Sequence, residues 1–167
     1  MLIFIDTEFT DFVHTGLISI ALVSEDGREF YAELSDYCKE DCSDFVNEIV
    51  VPLLGRVPSA ACSREQLTNK LRAWFNVLPE PATLVFDYFT DWELLCDAFL
   101  GETFVTPPNN VRDKLMLVSE IIEDEIFQRA LNMTFTQAWP PHHALADARA
   151  IMAGYRAWRT ANASKMC

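Results

Sequence analysis

The chain predicts an α/β fold: a five-stranded mixed sheet flanked by helices. Three observations lead there. Short β-branched or aromatic runs alternate with longer stretches patterned at the helical period, as layered α/β architectures require. Half of the 167 residues are hydrophobic, enough for one full core. The first three strand-like runs follow one another with no helical pattern between them, so they predict an antiparallel meander. The later two are separated by helical stretches, so they predict parallel additions to the sheet.

Residues 2–6 (LIFID) form an apolar run ending in a carboxylate, the pattern of a central strand. Residues 17–23 give a second strand. Glu25-Asp26-Gly27 turns the chain into a third, residues 28–34, which alternates polar and apolar positions. Residues 42–54 carry a helical pattern on Phe45, Val46, Ile49, Val50 and Leu53. A second helix begins at Ser63, its expected cap, and runs on Leu67, Leu71, Trp74 and Phe75 to about residue 78, where Pro79-Glu80-Pro81 stops it. Residues 82–86 read as a fourth core strand, followed by a helix from Asp91 to about residue 100. After a loop at residues 106–110, residues 114–118 predict a fifth, edge strand, and residues 121–131 a helix. Residues 132–141 are irregular and end in Pro140-Pro141. The last helix, about 143–161, places Ala144, Leu145, Ala148, Ile151, Met152, Tyr155 and Trp158 on one face. No repeat, low-complexity tract or linker divides the sequence, which predicts a single domain over residues 1–167.

Composition narrows the class further. No apolar run approaches the roughly 18 residues that span a bilayer. The N-terminal run has no basic leader and stops at Asp6, so no signal peptide is expected. Five cysteines (Cys38, Cys42, Cys62, Cys96 and Cys167) are scattered and odd in number, as reduced thiols of a cytoplasmic protein are. A net charge of −12 argues against nonspecific binding along nucleic acid. It agrees better with a small, local substrate footprint, and clustered site carboxylates would be neutralised by bound cations.

Three clusters of residues can carry chemistry. Asp6 and Glu8, two apart in a strand, project to one face and can ligate one metal or bracket two. Alone, such a pair is more often surface decoration; its place directly after a core strand favours a site. Asp87 and Asp91 follow the fourth strand, where a helix cap is by itself the safer reading of Asp91, although capping and metal binding are not exclusive. Finally, His142, His143 and Asp147 stand at the start of the last helix. His143 and Asp147, at i,i+4, share a face, and a histidine at a helix N-terminus is kept neutral and available as a base. Acids at strand ends answered by distant acids suggest a divalent-metal site, and two metals about 4 Å apart are a known device for phosphodiester hydrolysis.

Together, Asp6-Thr7-Glu8, Asp91 with Asp87 four residues before it, and His142-His143-Ala144-Leu145-Ala146-Asp147 resemble the three motifs of the DEDDh 3′–5′ exonucleases. That family includes ribonuclease T, oligoribonuclease and polymerase proofreading subunits, and the likeness is nearest to small stand-alone bacterial 3′–5′ exoribonucleases. The resemblance implies a ribonuclease H-like fold and two Mg²⁺ ions, or Mn²⁺ in their place. It implies Asp6, Glu8, Asp91 and Asp147 as metal ligands, and His142, five residues before the last aspartate, as general base in place of His143. Family members often carry Asn where this chain has Asp87. Thr7 and Phe9, beside the first acids, are the expected substrate contacts; core packing is the expected role of Phe12, Phe89 and Trp92. The implied substrate is the 3′ end of single-stranded RNA or a short overhang, and a homodimer is implied as well. A DNA-directed exonuclease, a small-molecule phosphatase and an idle binding module are the alternatives.

Overall fold

A computed structural model describes residues 1–101 and 106–163; Cys167 lies outside the described residues. The strands are β1 (Leu2–Phe9), β2 (Leu17–Ser24), β3 (Glu29–Leu34), β4 (Ala61–Cys62), β5 (Ala82–Phe86) and β6 (Val111–Met116), in the order β4-β3-β2-β1-β5-β6. The helices are α1 (Arg64–Asn76), α2 (Phe89–Ala98), α3 (Ser119–Ile122), α4 (Glu125–Asn132) and α5 (Ala144–Asn162). The result is an α/β architecture with a mixed sheet flanked by helices, compatible with a ribonuclease H-like fold. The meander of β1, β2 and β3 is antiparallel, and β5 and β6 add in parallel beyond β1.

The sheet separates two apolar layers. Along β1, Ile3 and Ile5 face the core built with Leu67, Leu71 and Phe75 of α1 and Leu94 and Leu95 of α2. Phe4 faces the opposite way, toward Phe127 of α4 and Ile151 and Tyr155 of α5. This period-2 alternation carries Asp6 and Glu8 onto the α5 side and Thr7 onto the α2 side. α5 packs closely against α4 at Gly154, where an added Cβ would meet the Phe127 ring at 3.0 Å. Ser63 and Gln66 form a reciprocal capping box at the start of α1, Ser63 Oγ accepting from Gln66 N at 3.3 Å.

Several boundaries depart from the sequence reading. Among the described residues the sheet has six strands instead of five, because β4, two residues long, pairs with β3 and is too short to leave a periodic signal. The edge strand begins at Val111 instead of residue 114, paired from Ala82 onward. Its Arg112-Asp113-Lys114 sequence suits an exposed edge and hid it. The helical pattern of residues 42–54 forms a π-helical turn over Val46–Val50 and a 3₁₀ turn over Val51–Leu53. Pro52, lacking an N–H, cannot continue an α-helical ladder there. The helix expected over 121–131 is broken in two, with Asp124 capping α4 through Ile126 N at 2.8 Å.

Candidate functional site

At the carboxyl ends of β1 and β5 the two layers open into a cleft of about 550 Å³. The parallel register that pairs Phe4 with Val85 brings Asp6 level with Asp87, two residues further along each segment. Asp147, in the first turn of α5, arrives from the far side of the sheet, and Asp91, in the first turn of α2, from the near side. Ligand oxygens of Asp6, Glu8 and Asp147 all lie within 4.8 Å of one another, and so do those of Asp6, Asp87 and Asp91. Asp6 belongs to both triads.

Two of the carboxylates are held by local devices. Asp91 Oδ1 accepts the Thr7 backbone N–H at 3.1 Å and the Thr7 hydroxyl at 2.6 Å, which ties the α2 start to β1. Asp91 is the third residue of α2 and Tyr88 its N-cap, so the capping role open to Asp91 in the sequence is not the one it has. Asp147 Oδ2 accepts the backbone N–H of His143, reaching back over the first turn of α5 much as the acid of a capping box does. A β-bulge between Glu8 and Phe9 then re-aims Phe9.

No cation lines this cleft among the described residues. Burial raises Asp6, Glu8, Asp87, Asp91 and Asp147, and repulsion between carboxylates adds to it at all of these but Asp87. Asp6 is pushed well above the usual carboxylate range, first by desolvation and then by Asp91, Asp147 and Glu8. Glu8 rises to about 8 for the same reasons, with Asp147 its strongest neighbour. Asp91 and Asp147 each rise to about 7, with desolvation dominant and the hydrogen bonds they accept opposing it. Desolvation raises Asp87 too. Converging, uncompensated oxygen donors are the set that hard divalent cations take. The clustered acids can therefore hold a divalent metal.

The two histidines part company here. His142 has φ +66, lines the cleft, and sets its ring edge-on to Phe45 at 5.1 Å. His143 is buried, stacked on Tyr31 at 4.9 Å and edge-on to Trp139 at 5.0 Å. Among the described residues, neither of its ring nitrogens finds a hydrogen-bond partner. The i,i+4 relation of His143 to Asp147 exists, but through the His143 backbone.

Thr7 lines the cleft with its hydroxyl engaged by Asp91, and Phe9 lies beside it. Phe12 and Phe89 are not core residues: Phe12 is 75% exposed and Phe89 45%. Trp92 does pack against the α1–α2 core. Phe9, Phe12 and Tyr88 form one aromatic group. The Phe9 and Tyr88 rings are nearly parallel at 6.5 Å, with Phe12 edge-on to both. The sequence reading missed Tyr88, although its place directly after Asp87 was a usable signal. It also missed Phe45 as a cleft residue, because the helical pattern assigned it to packing.

No protein-family model matches the chain. Over 76 residues it is 38% identical to a protein named 3′–5′ exoribonuclease in two strains of Mycobacterium tuberculosis, a stretch covering 44% of this chain and 45% of that relative. The chain thus spans less than half the length of the curated relatives it matches. Over that stretch the similarity supports kinship with an exonuclease family.

Proposed function

We propose that the protein is a divalent-metal-dependent 3′–5′ exonuclease of the DEDDh type, acting preferentially on single-stranded RNA 3′ ends. The observation that carries this reading is the pair of carboxylate triads sharing Asp6. Two such groups, joined through one residue, suit two adjacent ions. Bound Mg²⁺ or Mn²⁺ would supply activation of the attacking water and charge stabilisation at the leaving 3′ oxygen. Asp6, Glu8, Asp91 and Asp147 would hold those ions, with Asp87 a fifth candidate ligand on the Asp91 side.

His142, at the rim of the same cleft, is the general base of this reading. Its exposed imidazole can take a proton from water and pass it to solvent. Thr7 acts by fixing Asp91, and Phe9 offers its ring to the terminal base. The RNA preference rests on the family resemblance and on the printed name of the similar mycobacterial protein. A homodimer rests on the resemblance alone, and a monomer by light scattering at micromolar concentration would remove it.

The test follows a 5′-labelled single-stranded RNA and its DNA twin with Mg²⁺, with Mn²⁺ and with EDTA. A metal-dependent ladder shortening one nucleotide at a time from the 3′ end, faster on RNA, is the expected result. Faster DNA shortening would reassign the substrate. No cleavage of either strand by folded protein would overturn the nuclease reading and leave a binding module or a small-molecule phosphoesterase.

A further inference from the structure

We infer that Ser19 is the positioning residue for Glu8: its hydroxyl is the hydrogen-bond donor that orients the Glu8 carboxylate when the cleft holds metal. This rests on the metal-dependent reading above and adds to it a residue outside the ligand set. The starting point is a buried hydroxyl with nothing to bond. Ser19, on β2, is 1% exposed, and among the described residues its Oγ has no hydrogen-bond partner. Buried polar atoms are almost always paired, so an orphan of this kind needs an explanation.

The sheet register supplies the groups around it. Ser19 stands opposite Glu8 of β1 on one side and opposite Glu33 of β3 on the other. Directly opposed residues point to the same face, so all three side chains share the α5 side of the sheet. Glu33 is already engaged. Its Oε1 accepts the Tyr31 O–H at 2.9 Å and the Gly55 N–H at 3.0 Å, and its Oε2 accepts the same N–H at 2.9 Å. The Tyr31 ring is stacked on His143 at 4.9 Å, which keeps the phenol against Glu33. Burial first, then Glu33, raises the pKa of that phenol, with Glu8 a smaller cause, so its proton stays in place.

Glu8 is the carboxylate left open. Thr7 holds Asp91 and the His143 N–H holds Asp147, whereas burial and the neighbouring acids are what act on Glu8. Metal ligands are as a rule oriented by a hydrogen bond from a residue behind them. Ser19 is the donor that the register puts beside Glu8. Opposed Cβ atoms stand about 4.5–5.5 Å apart, so rotation of the two side chains is enough to bring hydroxyl and carboxylate together. Ser19 thus does for Glu8 what Thr7 does for Asp91.

The experiment titrates Mn²⁺ into metal-free wild-type protein and into Ser19→Ala, read by calorimetry, and melts both proteins without metal. Ser19→Ala removes one buried oxygen and adds nothing, so the fold is kept. The variant should bind Mn²⁺ about 10- to 100-fold more weakly, the usual loss when a residue behind a ligand is removed. Its metal-free melting temperature should hold or rise, because the hydroxyl it lacks was unpaired. The Mg²⁺ concentration for half-maximal cleavage should rise by the same factor as the Mn²⁺ dissociation constant. Mn²⁺ affinity equal to that of the wild type would overturn the inference while leaving the nuclease reading intact. A lowered metal-free melting temperature would overturn it too, marking a hydroxyl that serves the fold instead. Wild-type protein that binds no Mn²⁺ would remove the metal site and this inference with it.

Discussion

His142 and His143 are neighbours in the chain and opposites in the fold. His142 stands at the rim of an acid-lined cleft with its ring in solvent, turned there by a backbone in the left-handed region, φ +66. His143, with φ −128, drops its ring into a sealed slot between Tyr31 and Trp139. Burial lowers the His143 pKa, with Arg56 and Arg149 adding to that, which favours the neutral imidazole. One ring lines the cleft and the other is packed in the interior, and the backbone between them turns through a positive φ at His142. The cost of holding a non-glycine residue in that region, of order 1 kcal/mol or more, is the kind of local strain that collects at functional sites.

The largest expected effect lies at the residue both histidines border. Asp147→Asn keeps an oxygen for the His143 N–H and so keeps the α5 start, but it removes one charged ligand. Turnover should fall by about a thousandfold or more, the size of the several kcal/mol that metal-centred stabilisation provides. Circular dichroism and melting should be unchanged or improved; a loss of fold would mean that Asp147 is chiefly structural.

His142→Ala should lower kcat by about 10²- to 10⁴-fold, the usual contribution of a positioned base, with the melting temperature nearly unchanged. His143→Ala should do the reverse, costing about 2–4 kcal/mol of stability through the cavity it leaves, with less loss of kcat than His142→Ala. Urea melts and single-turnover rates on the two variants decide it. The opposite order would reverse the assignment of the base.

A pH series sharpens the contrast between the acid cluster and the rest of the protein. Acids whose pKa is raised in the folded state favour folding below their unfolded values near 4 and lose that contribution as pH rises through the folded values. For Asp91, Asp147 and Glu8 those folded values are about 7, 7 and 8. The metal-free protein should therefore melt at progressively lower temperature from about pH 5 to about pH 8. Excess Mg²⁺ should flatten the slope, since ions offset the repulsion. A slope untouched by Mg²⁺ and by Asp147→Asn would locate the effect in the general −12 charge instead.

The smallest effect tests the sealed slot. His143→Phe fills the same space without a polar ring that lacks partners, and should leave kcat within a few-fold while raising stability by about 1 kcal/mol. A thermal melt that drops instead would show that a ring nitrogen of His143 is in use.

Much of the fold was legible in the chain. The β1–β2–β3 meander, the Ser63 cap and the buried stripe of α5 follow from local periodicity and capping chemistry, which need no distant contact. The acids of the cleft were legible as well, because Asp6 and Glu8 sit two apart in a strand and Asp147 opens a helix. What failed did so for identifiable reasons. β4 is held by its pairing with β3 and not by its own two residues. The interruption at residues 42–54 follows from Pro52, while Val46 and Val50 of its π-helical turn pack with Ile18 of the sheet. Phe12 looks like a core residue until the loop that carries it projects from the sheet.

Sequence by itself determined the strand–helix alternation and the chemical types at the cleft, since both depend on residues only a few positions apart. Tertiary structure alone decided that Asp87 stands with Asp6 and Asp91, that Thr7 holds Asp91, that Tyr88 and Phe45 join the cleft, and that His142 faces it while His143 does not. Each of these depends on the register of β1 against β5 or on the angle at which α2, α5 and the preceding loop meet the sheet. Such distances are fixed by packing between residues far apart in the chain, where local propensity carries no information.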